Sequence, residues 1–381
     1  MAIDAATIST NDKSLIEGIR EWVMLESPSH DIERVGKMMV LAGEQARRMG
    51  LRTDLIDLGA ESAKMLHVTN RQPGDVSPGL LIIAHLDTVH PVGTLRVNAC
   101  RQEGDRLYGP GVYDMKAGAY LALCALGEAA RNGGTALPVD FLFSPDEEIG
   151  SPASRSHIER FAGRAHCVLV TEPARPNGGR CVTARKGTGV VKVKIIGRPA
   201  HAGMQHENGR SAIKEMAHQV LALEAMTDYA RGITVSVGTI RGGTTTNVVP
   251  SECEAIVDFR VPDAEAAEFL LARVRAMKAV DPDVTLSIDA ALNRPPMARD
   301  ENTAALFATA SDCANRAGFS LEEAPMTGGG SDANFTAALG IPTIDGLGAD
   351  GDGAHTLKEY VLVSTLAQRL AFWKELLRGL R

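Results

Sequence analysis

The residues best suited to chemistry are His85 and Asp87, at the end of the apolar run Leu80-Leu-Ile-Ile-Ala84, followed downstream by Asp114, Glu147-Glu148, Glu172 and His355. Imidazoles and carboxylates in this number form the donor set of a two-metal hydrolytic site. Ions about 3.5 to 4 Å apart need a bridging carboxylate, terminal ligands on each side and a shared water. We read Asp114 as the bridge, with His85 and Glu172 completing one position and Glu148 and His355 the other. Three carboxylates and one hydroxide then balance two divalent cations, which a low-dielectric cleft favours over an unbalanced charge. The mixed donors suit zinc, and cobalt or manganese would also be accommodated.

A strand ending in His-x-Asp presents both side chains on one face, because alternate residues point the same way. Asp87 is therefore expected to accept a hydrogen bond from the nitrogen of His85 that faces away from the metal. Glu147 and Glu148 are adjacent, so in an extended segment their carboxylates diverge and only one is a ligand. Glu147 is then left to take a proton from the attacking water and pass it to a leaving nitrogen. Asp350-Gly-Asp-Gly resembles the start of a calcium loop, but Ala354 and His355 stand where a ligand and glycine are needed and the closing glutamate is missing, so calcium is disfavoured.

The elements that must carry these groups alternate. Helical spacing marks Ser14 to Leu25, Ile32 to Met49 and Met115 to Arg131, and buried-strand runs mark Leu80 to Ala84, Val139 to Phe143 and Cys167 to Val170. The expected fold is α/β, with a mostly parallel sheet covered by helices on both faces and the acids at strand C-termini, where open sheets bind ligands. The middle third differs. A strand at Gly189 to Gly197, a helix at Ser211 to Met226, strands near Ile233 to Ile240 and Glu254 to Val261, a helix at Ala264 to Val280 and a strand at Val284 to Asp289 give the order βαββαβ of a ferredoxin-like module. It is placed at 186–293, inserted into a catalytic domain of 1–185 and 294–381 that resumes through helices at Thr303 to Ala317 and Val361 to Leu377.

A chain of 381 residues, 44% hydrophobic, has room for roughly two or three domains. A net charge of -7 gives no basic field for nucleic acid or an anionic membrane surface. Met1 to Lys13 has no apolar core behind a basic start, and no apolar run is long enough to span a bilayer, so a cytoplasmic location is expected. Six cysteines without a Cys-x-x-Cys pair point to reduced, packed thiols.

Seven strings then appear in order: His85-Leu-Asp-Thr-Val, Gly109-Pro-Gly-Val-Tyr-Asp-Met-Lys, Pro145-Asp-Glu-Glu-Ile-Gly-Ser, Thr171-Glu-Pro, Pro199-Ala-His-Ala-Gly, Gly243-Thr-Thr-Thr-Asn-Val-Val-Pro and Gly328-Gly-Gly-Ser-Asp. Together they resemble the glutamate carboxypeptidase and acetylornithine deacetylase family of dizinc amidohydrolases. The resemblance implies a cis peptide at Asp114-Met115 and an inserted module that serves as lid and dimerisation domain. It also implies that His201 reaches a neighbouring subunit's site to steady the oxyanion, with Asn247 nearby. The carboxypeptidase branch of the family implies that Arg260 and Arg294 bind a substrate carboxylate, for which an arginine fork is suited. The amides around Gly329 and Gly330 fit the same task. The chain departs from the family at His90, where an aromatic residue is usual, and at His206, where proline is usual.

Metal-dependent hydrolysis of the amide of a small N-acyl amino acid or dipeptide bearing a free carboxylate is thus the expected activity, in a homodimer assembled through the inserted module. A deacylase, or a hydrolytic deaminase acting on another C–N bond such as an aryl amine, stays open, with His90 and His206 in view. A metal-holding scaffold without turnover should have lost a ligand or the base, and this chain has all of them.

Overall fold

The computed structural model describes residues 12–380, so residues 1–11, on which most of the leader reading rests, lie outside the described residues. Two compact units result, one of them Arg185–Met297 with Gly328–Gly330, the other formed by the described residues up to Ala184, Ala298–Thr327 and Ser331 onwards.

The larger unit is built on a six-stranded sheet. Its order is Arg52–Ile56, Met65–Thr69, Val139–Ser144, Gly79–His85, Ala165–Val170 and Thr343–Ile344. The last four strands run parallel, and the first two join antiparallel at one edge. Every position of Gly79–His85 is buried, as a central parallel strand covered on both faces requires. Pairing of His85 with Ser144 and of Ile83 with Val170 aligns the C-terminal ends of three neighbouring strands. The chain leaves those ends into Leu86-Asp87, Pro145 to Glu148 and Thr171-Glu172, so one edge of the sheet delivers most of the acids to one place.

Helix Ala117–Arg131 is buried on nearly every side and packs against the terminal helix Val363–Gly379. It begins later than its apolar spacing predicts. Val112–Lys116 forms a wide, kinked turn in which Asp114 and Met115 have non-helical dihedrals, because the backbone there is committed to presenting Asp114. The two antiparallel edge strands, the helix Arg155–Ala162 and a small antiparallel sheet were not anticipated. That small sheet has the order Gly351–Asp352, Tyr360–Leu362, Arg106–Tyr108 and Arg101–Glu103. Its strands have two or three residues each, too few for alternation to register. It matters because the Tyr360 to Tyr108 pairing ties the segment entering Asp114 to the segment leaving His355.

The smaller unit has the strands Thr285–Arg294, Gly187–Ile196, Glu252–Val261 and Thr234–Gly242 in that order, all antiparallel, with helices Ala212–Glu224 and Ala264–Arg275. Sequence order βαββαβ and spatial order 4-1-3-2 make it ferredoxin-like. Val191, Val193 and Ile195 alternate with exposed residues and share a core with Val257, Phe259, Met216 and Leu270. Helix Ala264–Arg275 ends five residues short of the expected Val280, and residues 276–284 turn into the last strand.

Gly118 illustrates how closely the larger unit is packed at the site: a Cβ there would lie 2.6 Å from the carbonyl oxygen of Thr171 and 2.7 Å from Cα of Gly348. Gly118→Ala is expected to lower stability by about 1–3 kcal/mol through overpacking, read as a lower urea midpoint with an unchanged slope. The strand end before Glu172 should shift with it, so activity should fall as well.

Candidate metal centre

His85, Asp114, Glu147, Glu148, Glu172 and His355 come together within the larger unit. Asp114 lies at the middle, with Oδ1 3.2 Å from His85 Nε2 and Oδ2 3.3 Å from His355 Nε2. Glu172 Oε1 stands 3.8 Å from the same nitrogen of His85, and Glu148 Oε2 stands 3.1 Å from that of His355. The peptide bond from Asp114 to Met115 is cis. His355 has a left-handed φ of 63°, an uncommon conformation for a residue with a side chain, as occurs where function fixes the backbone.

One donor atom each from His85, Asp114 and Glu148, and likewise from His85, Glu147 and Glu172, lie within 4.8 Å of one another, close enough to hold a metal ion. The two glutamates do not diverge along an extended segment as expected. Glu147–Ile149 is a single 3-10 turn, which folds both carboxylates toward His85. Asp87 causes this. Its Oδ1 accepts the backbone N–H of Glu147 at 3.1 Å and its Oδ2 that of Glu148 at 3.2 Å, while Ser29 Oγ donates to Oδ2 at 2.7 Å. Toward His85 Nδ1 the nearer acceptor is the backbone carbonyl of Asp87 at 3.0 Å, with the carboxylate at 3.5 Å. Asp87 therefore orients the imidazole mainly through its main chain and spends its carboxylate on the glutamate turn.

The cluster is charged and largely buried, and its titration reflects that. Burial, with Asp114 and Glu147 close by, pushes Glu148 up to about 7 despite a hydrogen bond from His355. Burial and the charges of Asp114 and Glu147 raise Glu172 well above the usual carboxylate range. Burial would raise Asp114 too, but hydrogen bonds from His355 and His85 hold it well below that range. Hydrogen bonds to Asp114 and Glu148 push His355 up to about 11. Burial opposes charge on His85, yet Asp114 and Asp87 raise it well above its ordinary value. Glu148 Oε1 is buried without a hydrogen-bond partner, an acceptor that a cation would satisfy, so the residues fit a metal.

Other groups hold the surroundings. Asp332, from the Gly328-Gly-Gly-Ser-Asp string, is buried and accepts from Ser144 Oγ at 3.0 Å and from Ser151 Oγ, bracketing the loop that carries Glu147 and Glu148. His90 is neither a surface nor a pocket-rim residue: it is buried, 2.8 Å from Oε2 of Glu359. Glu359 is a residue that sequence spacing gave no reason to single out.

The remaining expected site residues belong to the smaller unit. His201 is exposed there and Nδ1 accepts from the N–H of Gly203 at 3.2 Å, while the N–H of Ala202 donates to the carbonyl of Asn247 at 3.0 Å. Arg260 grips Asp258 through two bonds of 2.8 and 2.7 Å, so its fork is engaged within its own sheet. Arg294 is buried and donates to Asn293 Oδ1 at 3.0 Å. Gly330 lies against the stem of Arg294, and the carbonyl of Gly329 accepts from Arg185 at 2.9 Å. His206 is exposed in a short 3-10 turn, His206–Asn208.

Residues 81–379, which include every group in the cluster, match Peptidase family M20/M25/M40. The chain belongs to this family. It is accordingly a metal-dependent hydrolase. It is 29% identical over 368 residues to carboxypeptidase G2 of Pseudomonas sp. (strain RS-16), covering 94% of this chain and 87% of the relative. It is 31% identical over 219 residues to acetylornithine deacetylase of Myxococcus xanthus, covering 54% of this chain and 55% of that one. The fold is that of an M20 family metallo-carboxypeptidase from Sulfolobus solfataricus, with TM-score 0.75, 18% identity and coverage of 96% and 98% of the two chains. A dinuclear metal binding peptidase of the same family from Bacillus subtilis superposes with TM-score 0.68 at 17% identity over 96% and 97%.

A metal held by this M20 cluster would have to displace protons, because ligands bind deprotonated. With Glu148 pushed up to about 7 and His355 up to about 11, protons would compete with a cation for both groups as pH falls. Calorimetric titration of metal-free protein with zinc at neutral pH, in buffers of different ionisation enthalpy, should therefore report proton release. Apparent affinity should weaken steadily as pH drops below neutrality; an affinity independent of pH would contradict the arrangement.

Proposed function

We propose that the chain holds two divalent cations at this cluster and hydrolyses the amide bond of a small N-acyl amino acid or dipeptide with a free carboxylate. The observation that carries this reading is the two-sided placement of Asp114, one oxygen toward His85 and the other toward His355. In it His85 and Glu172 complete one position and Glu148 and His355 the other. Zinc is the favoured ion, with cobalt and manganese accommodated by the same donors. When bound, such cations polarise a scissile carbonyl and make water acidic enough to attack near pH 7.

Within this reading Glu147 takes the proton of the attacking water and returns it to the leaving nitrogen, from a turn that Asp87 fixes by its two backbone bonds. His201, exposed on its unit, reaches the centre of a neighbouring copy and steadies the oxyanion, with Asn247 beside it. Arg294, Gly329 and Gly330 receive the substrate carboxylate. Arg260 can join them through Nη1, which donates to the Gly328 carbonyl at 3.3 Å, while Nε and Nη2 hold Asp258. The smaller unit acts as lid and as the contact of a homodimer. Among the described residues no helix is long and apolar enough to cross a membrane. Six free cysteines, five of them buried, suit a reducing compartment such as the cytoplasm.

A carboxypeptidase-like specificity is supported by the similarity to carboxypeptidase G2 over most of both chains, and deacylation, as the second reading, by the similarity to acetylornithine deacetylase. Aryl amine hydrolysis loses one of its supports, since His90 is committed to Glu359 rather than to a pocket.

Glu147→Gln should retain two cations by elemental analysis while turnover falls about 10²- to 10⁴-fold, the usual worth of a general base. His85→Ala should lose one cation and most activity; two cations tightly retained in that variant would overturn the ligand assignment. A library of N-acyl amino acids, glutamyl amides, dipeptides and aromatic amines, assayed with zinc, cobalt and manganese in parallel, decides between the two readings. Sedimentation at micromolar concentration should show a dimer, and a 40.4 kDa species alone would remove the proposed role of His201.

A further inference from the structure

The carboxylate of Glu359 is fully buried, and each of its oxygens takes two donors. Oε1 accepts the backbone N–H of Tyr113 at 2.8 Å and of Asp114 at 2.9 Å. Oε2 accepts the N–H of Gly111 at 2.9 Å and His90 Nε2 at 2.8 Å. A carboxylate oxygen can only accept, which makes the Nε2 of His90 the donor in that pairing. Its acceptor sites are filled by four protein donors.

Placement gives this group its significance. Three of the four donors belong to the turn Gly111–Asp114, whose last residue puts one oxygen toward each imidazole. Glu359 itself lies four residues beyond His355, in the segment that crosses from Gly351–Asp352 to Tyr360–Leu362. One carboxylate thus joins the loop of the central aspartate to the loop of the more exposed histidine. His90 adds an anchor from a third segment, which follows the strand of His85.

We infer that Glu359, steadied by His90, is a positioning residue that sets the direction of the Asp114 carboxylate and its spacing from His355. It touches no donor atom that would hold a metal and acts only through the backbone. Neutral backbone donors bound to a charged acceptor make stronger bonds than to a neutral one, and burial strengthens them further. Removing the charge should let the turn relax and widen the gap that Asp114 spans. This inference rests on the two-cation reading above, and its test separates the two.

The test uses full-length protein stripped of metal and titrated with zinc, in three forms. Glu359→Gln keeps the shape but offers one acceptor oxygen and turns an NH2 toward two donors. Affinity for at least one cation should fall by about tenfold to a hundredfold, as is usual when a group supporting a ligand is altered. With metal in excess, kcat should fall while KM stays within about twofold, because the change concerns the reacting centre and not substrate uptake. His90→Phe keeps a buried ring and removes one donor of four, so a smaller loss for the same cation is expected. Should Glu359→Gln fail to fold, His90→Phe alone decides. Wild-type affinity for both cations in a folded Glu359→Gln, or in His90→Phe if only that variant folds, overturns the inference, even where melting temperatures fall. If the wild type itself takes up fewer than two cations, the two-cation reading fails first.

Discussion

Carboxylates crowded into a buried space repel one another, and the larger unit is organised around making that crowding tolerable. Asp114, Glu147, Glu148 and Glu172 meet at the ends of three parallel strands with only two imidazoles among them. Burial and the neighbouring carboxylates push Glu148 and Glu172 upward, and the hydrogen bonds to Asp114 and Glu148 push His355 upward, as such crowding requires. Such a site is costly for an ordinary fold and is accounted for by a positively charged occupant. The aligned register of the central strands makes the crowding unavoidable, since it brings their C-terminal ends to a common level.

Two further carboxylates, Asp87 and Glu359, carry out the alignment. Each is fully buried, and each accepts backbone N–H groups from a turn that bears the cluster's side chains. The division is chemical. Glu148 Oε1, in the cluster, lacks a donor, whereas the carboxylate oxygens of Asp87 and Glu359 are bonded to the scaffold. Carboxylates of the same type thus serve as candidate ligands or as braces according to the neighbours the chain supplies.

Much of this was legible before any coordinates. Long periodic segments such as Ile32–Arg48 and the apolar run within the fully buried Gly79–His85 announced themselves, and so did the βαββαβ order of the smaller unit. Side chains bearing chemistry stood out because His85, Asp114, Glu148, Glu172 and His355 are of the right types. What escaped notice depended on backbone donors, to which residue identity gives no clue. Nothing in Glu359-Tyr-Val marks its carboxylate as the acceptor for a turn some 250 residues earlier. Likewise, the 3-10 turn of Glu147 arises from Asp87, so treating the pair as an extended dipeptide misjudged where both side chains point. His90 was read only as a departure from the family because its partner was invisible in the linear order.

The imidazoles at the cluster differ in their access to water: the side chain of His85 is 1% exposed and that of His355 is 53% exposed. An ion beside His355 would face bulk solution across that exposed ring, whereas one beside His85 could leave only after sheet-end packing loosened. Loading and depletion would then be ordered events, with chelators stripping the outer position quickly and the inner one on the timescale of local unfolding. Partially depleted preparations would hold a defined singly occupied form rather than a statistical mixture.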